Sequence, residues 1–146
     1  MKNKKQIHVK DPIDLEIKWQ RLVAIMDEID NATIKTAFST IVSDSHDFAC
    51  ILLDSSGNSI CQSSFSPPDF CVLIPSTTKK IISAIGKDNI CDGDVLVTND
   101  PWIAAGHLPD YAILTPIFFK RKLIGFIGTI AHLADVGGHN GDIIAN

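Results

Sequence analysis

The sequence predicts an α+β domain, with a long N-terminal helix packed on a largely antiparallel sheet built from β-hairpins. Three observations predict it. Apolar residues after position 11 recur at helical spacing. Two stretches, "DFACILLDSSGNSICQSS" and "YAILTPIFFKRKLIGFIGTIAH", each place apolar runs on both sides of a short polar turn. A second helical pattern lies between them, so helices alternate with hairpins rather than with single parallel strands.

The first ten residues, with Lys2, Lys4 and Lys5, read as a flexible, solvated tail. Residues 11–146 then form one expected domain. Asp11 is placed to cap the helix, Pro12 fits the first helical position, and Asp14 sits near the positive end of the helix dipole. Ile13, Ile17, Val23, Met26 and Ile29 define the expected buried stripe, widened by Leu22, Ile25 and Ala37. The helix is expected from about Ile13 into the late thirties.

In the first hairpin, Gly57 supplies a positive φ for the turn "DSSGN". A register with Leu53 facing Asn58 puts Cys50 opposite Cys61, read as two small buried side chains rather than a disulfide. The prolines of "SFSPPDF" mark an irregular crossing. A short helix capped by Ser76 and stopped by Gly86 follows, and "DGDVLVTNDP" reads as a short buried strand between turns. The last hairpin turns at Lys120 and Arg121, and Pro116 implies an edge or a bulge in its first strand.

Composition bounds the function. The chain is 45% apolar and 21% charged, with a net charge of −4. Such a charge gives no general attraction to nucleic acid or to an anionic membrane. No apolar run approaches the roughly 18 residues of a membrane span. The start carries no secretory pattern, so a cytoplasmic location with reduced cysteines is expected. No phosphate-binding glycine fingerprint is present, and no CxxC spacing points to a zinc ribbon. Ser45, His46 and Asp47 are sequence neighbours, which cannot by themselves make a triad, and read as the lead into the first hairpin. Cys71, beside Phe70, reads as core.

Two short motifs remain, "GHLPD" at 106–110 and "AHLAD" at 131–135. The last hairpin's register, carried back from its turn, sets Asp110 opposite Ala131 and His132 opposite Pro109. Facing residues in a sheet have Cβ atoms about 5 Å apart, so His107, Asp110 and His132 are expected to converge. Two imidazoles and a carboxylate form a divalent-metal set suited to zinc, manganese or iron. From spacing alone, structural polar residues at strand ends are the favoured reading and the metal set is the alternative. Asn99 and Asp100 of "TNDP" are supporting candidates through an Asx-type turn, with Trp102 as a candidate pocket wall. Asp135 and His139 are further supporting candidates in the glycine-rich stretch after His132.

"DPIDLEI", "TAFSTIVSDSHDFACILLDSSGN", "GDVLVTNDPWIAAGHLPD" and "IAHLADVGG" occur in that order, and together they resemble the N-terminal part of the hydantoinase B family. That family includes the B subunits of N-methylhydantoinases, the matching part of 5-oxoprolinases and the acetone carboxylase α subunit. The resemblance implies that His107, Asp110 and His132 hold a catalytic divalent metal, which would polarise a carbonyl or phosphoryl oxygen. It implies a hydantoinase A-like partner subunit that uses ATP, hence a hetero-oligomer, and a small cyclic-amide substrate that is hydrolysed. Ketone carboxylation is the alternative within the family. The sequence departs from the family where Phe70 stands in place of a histidine, and family members are several times longer. A non-catalytic, truncated fragment that keeps the fold and binds metal or a partner is therefore a further alternative.

Overall fold

The computed structural model describes residues 11–133. The expected tail at 1–10 lies outside them. Helix α1 spans Pro12–Thr36, α2 Thr40–Ser45 and α3 Pro68–Ile85, with a 3-10 turn at Lys87–Asn89. The strands are β1 Phe48–Asp54, β2 Ser59–Gln62, β3 Leu96–Thr98, β4 Asp110–Phe119 and β5 Lys122–His132. They form one sheet in the order β2-β1-β5-β4-β3, with every pairing antiparallel. The α+β prediction is correct.

Helix α1 starts as its sequence dictates. The Asp11 carboxylate accepts the backbone N–H of Ile13 at 2.9 Å and of Asp14 at 3.4 Å, and Pro12 occupies the first turn. Its buried stripe differs from the expectation. Ile13 is 72% exposed, and Ile17 and Ile25 are each 51% exposed. Leu22, Val23, Met26 and Ile29 make the contact, against Phe48, Cys50 and Cys61.

Helix α3 covers the other sheet face. Successive β1 residues point to opposite sides: Ala49, Ile51 and Leu53 meet Phe70, Ile74 and Ile81 of α3, while Phe48 and Cys50 meet α1. The helix is longer than expected, because Ser76 lies inside it and Pro75 does not end it. An interior proline costs about 3 kcal/mol. Burying Phe70 and Ile74, at roughly 1.5–3 kcal/mol each, offsets that cost. Pro67 and Pro68 stand where the missing N–H has no helical partner to lose. Gly86 ends α3 at φ 86°, as expected.

Both hairpins carry a bulge. In the first, Leu53 pairs with Ser59 and Leu52 with Cys61, leaving Ile60 extra. Cys50 therefore does not face Cys61, and both are free and buried. The turn is also one residue longer than expected, with Leu53 facing Ser59 in place of Asn58. Within it the Asp54 carboxylate accepts the backbone N–H groups of Ser56 and Asn58 and the Asn58 side-chain amide, at 2.7, 2.9 and 2.9 Å. In the second hairpin, Lys120 and Arg121 have φ of 50° and 65°, the paired left-handed geometry of a tight two-residue turn. Phe119 faces Lys122 as expected, but between Ile117 and Phe118 the register shifts by one. Pro116 lies beside this bulge, beyond the last β4 residue paired with β3. β3 is an edge strand rather than a buried one, with Val97 55% exposed. Among the described residues, no helix is long and apolar enough to cross a membrane.

Candidate metal centre

The bulge decides the site's geometry. It pairs Asp110 with His132 directly, in place of the Asp110–Ala131 pairing expected from an unbroken ladder. Both residues fall on the α3 face, the side occupied by Ala112, Leu114 and Ile130. His132 Nδ1 lies 2.9 Å from Asp110 Oδ1, and His107 Nε2 lies 2.7 Å from Asp110 Oδ2. The two imidazole rings meet edge to face at 5.1 Å. Asp110 is 2% exposed, so its charge is withdrawn from water and answered by two imidazole nitrogens.

The loop bearing His107 is held at three successive carbonyls. That of His107 accepts Asp110 N–H at 3.4 Å, that of Leu108 accepts the Asn99 amide at 3.2 Å, and that of Pro109 accepts Leu133 N–H at 3.0 Å. Gly106, at φ 93°, makes the left-handed turn that leads into it. Asp100 accepts Trp102 N–H at 2.9 Å in the expected Asx-type turn. Asn99 and Asp100 thus shape the loop and do not line the centre. Trp102 does not line it either; the residue is 68% exposed, while its carbonyl accepts Lys80 Nζ at 2.6 Å. Asp135 and His139 lie outside the described residues.

The donors of His107, Asp110 and His132 all lie within 4.8 Å of one another. An ion about 2.1 Å from each donor would draw them to roughly 3–4 Å apart. The set fits a divalent cation with a small closing of side chains. Its nitrogen and oxygen chemistry suits zinc, manganese or iron. The three residues face a hollow of ≈ 220 Å³, whose remaining wall includes Asp47, Asp69, Phe70 and Leu73. A larger apolar hollow of ≈ 500 Å³ near Val42, Phe48 and Thr129 lies on the opposite sheet face, and no titratable group lines it.

Asp47 escaped the sequence reading as a site residue. Its Oδ2 is 4.0 Å from His132 Nδ1, and its backbone carbonyl accepts His132 N–H at 3.1 Å. Burial pushes its carboxyl above the usual value, with His132 opposing and Asp110 reinforcing the shift. The signal that places it is the β1–β5 pairing, which sets Phe48 opposite Ala131.

An antiparallel sheet between two helices, with a His–Asp–His cluster at one strand end, defines an α+β domain carrying a candidate divalent-metal centre. Residues 11–145 match the model of the family described as hydantoinase B/oxoprolinase. The chain is 36% identical over 129 residues to the B subunit of a putative D-/L-hydantoinase of Pseudomonas sp. (strain NS671), covering 87% of this chain and 22% of that protein. Among solved structures it resembles acetone carboxylase in its nucleotide-free state, with TM-score 0.79 and 25% identity over 88% of this chain and 17% of the other. It also resembles the ATP-dependent caprolactamase of Pseudomonas jessenii, with TM-score 0.69 and 27% identity over 90% of this chain and 22% of the other. The chain belongs to the hydantoinase B/oxoprolinase family. It spans about a fifth of the length of the hydantoinase relative it matches.

Proposed function

We propose that this chain is the metal-binding part of an ATP-dependent cyclic-amide hydrolase of the hydantoinase/oxoprolinase type, acting with a hydantoinase A-like ATPase subunit. The observation that carries the reading is Asp110, buried and shared between His107 and His132. Those three residues would hold a zinc, manganese or iron ion. When bound, such an ion supplies Lewis-acid polarisation of a carbonyl oxygen. Asp47 presents a further carboxylate at the edge of the site. Phe70 and Leu73 form an apolar wall that limits water on the α3 side. Asn99 and Asp100 keep the His107 loop in shape, and Asp135 is proposed as a supporting residue.

The names of the relatives support the reaction class. Hydantoinase and caprolactamase are names for enzymes of cyclic amides, and the caprolactamase is described as ATP-dependent. The hydantoinase relative is named as one subunit of its enzyme, which supports a hetero-oligomer. The likeness to a protein of ATP-dependent acetone carboxylation favours ketone carboxylation as the second reading. A ketone and a cyclic amide both offer a carbonyl oxygen to the same centre. The test is ATP-dependent turnover of hydantoin, 5-oxoproline and a lactam, against acetone with bicarbonate, after adding a hydantoinase A-like subunit. Ring opening supports the first reading and acetone carboxylation the second. Metal binding without turnover beside a competent partner would leave the chain as a non-catalytic metal-binding domain.

A further inference from the structure

The described residues hold a second buried polar cluster, on the α1 side of β1. Asp30 of α1 is fully buried, and its Oδ2 accepts the Ser63 hydroxyl at 2.5 Å. Ser63 in turn contacts the Ser66 hydroxyl at 2.8 Å, which accepts Cys50 N–H at 3.0 Å. The other carboxylate oxygen, Oδ1, stands 3.0 Å from His46 Nε2. That contact is within ion-pair range but lacks the alignment of a hydrogen bond. A buried carboxylate with one oxygen answered only by an imidazole needs a reason to be there.

His46 offers that reason. It ends α2 in the left-handed region, at φ 56° and ψ 34°. Glycine or asparagine is the usual residue at such a helix end. A histidine there is strained unless its surroundings hold it. Its ring is held between Phe65, at a centroid distance of 5.9 Å, and the Asp30 carboxylate. The next residue is Asp47, whose N–H donates to the Ile41 carbonyl at 3.2 Å and whose carbonyl takes His132 N–H. The left-handed turn at His46 therefore sets the direction in which the Asp47 side chain leaves the backbone.

We infer that Asp30 and His46 are positioning residues, which act through the strained backbone at 46 to hold the Asp47 carboxylate toward the His107–Asp110–His132 centre. The inference rests on the metal reading above. It assigns a role to a carboxylate that reaches the centre only through the chain.

The test is cobalt(II) titration of the intact chain, followed by the ion's visible absorption, in four forms: unaltered, His46→Asn, Asp47→Asn, and both together. Asparagine permits the left-handed turn, so the variant can fold, but it lacks the Asp30 contact that holds residue 46 there and leaves the backbone free to turn Asp47 away. Outer-shell partners of metal ligands are typically worth about 10–100-fold in affinity. The expected result is a loss of about tenfold for His46→Asn, an altered cobalt spectrum, and no further loss when it is combined with Asp47→Asn. Thermal melts establish that each variant is folded, and Asp30→Asn, where it folds, repeats the His46→Asn result. Unaltered affinity in His46→Asn, or losses that multiply in the double variant, would overturn the inference and leave the metal reading standing. Absence of cobalt binding by the unaltered chain would overturn both.

Discussion

Asp110 on β4 and His132 on β5 are direct cross-strand partners, with Nδ1 and Oδ1 2.9 Å apart. That pairing exists because one extra residue, Ile124, is accommodated in β5 between the pairs Ile117–Gly125 and Phe118–Leu123. A bulge near one end of the hairpin thus sets the chemistry at the other. In an unbroken ladder Asp110 would face Ala131, and His132 would project from the opposite sheet face.

The sheet face under α3 has no spare volume at Gly128. A Cβ there would lie 2.6 Å from Ile74 Cγ2 and 3.0 Å from Leu53 Cδ1. Overpacking a core in this way costs about 1–3 kcal/mol. Gly128→Ala is predicted to lower the unfolding free energy by that amount, read as a lower urea midpoint with an unchanged slope. A midpoint equal to that of the unaltered chain would show that α3 does not press on β5.

The cysteines are predicted to differ sharply in reactivity. Burial, reinforced by the nearby Asp30 charge, pushes the Cys50 thiol up to about 12, and Cys50 is fully buried. Cys61 is also buried and raised, whereas Cys91 is exposed. Labelling with a thiol reagent should modify Cys91 first, and Cys50 only on unfolding. Rapid labelling of Cys50 in the folded chain would contradict the packing of α1 against β1.

Acid should weaken the first hairpin. The Asn58 side chain and the backbone N–H groups of Asn58 and Ser56 hold the Asp54 carboxyl below its ordinary value. A lowered carboxylate contributes stability that is fully present above its unfolded pKa and lost as pH falls through the folded one. Asp54→Asn is therefore predicted to be less stable than the unaltered chain at neutral pH. The gap should close under acid conditions below the ordinary carboxylate range. Urea unfolding of both forms across that range measures it, and a gap independent of pH would contradict the assignment.

Much of this was legible from residue pattern alone. The Asp11–Pro12 helix start, the Lys120–Arg121 turn and the Gly86 stop are local signals, and each appears in the structure. That the chain ends bearing His107, Asp110 and His132 meet was also legible, since a hairpin brings its own ends together. That Asp110 and His132 share a sheet face was not, because it depends on the bulge. What was hidden depends on tertiary contacts. Burial against the sheet carries α3 through Pro75. Neither bulge has a marker in the sequence beyond the neighbouring Pro116. Asp47 joins the site through β1–β5 pairing, between strands that lie far apart in the chain.

The central claim is that His107, Asp110 and His132 together hold one divalent cation. Metal analysis of the purified chain, beside His107→Ala, Asp110→Asn and His132→Ala, tests it most directly. The account predicts close to one equivalent of zinc, manganese or iron in the unaltered chain and a large loss in each folded variant. Equal, near-zero metal in all four, after incubation with each ion, would contradict it and leave a hydrogen-bonded His–Asp–His cluster in its place.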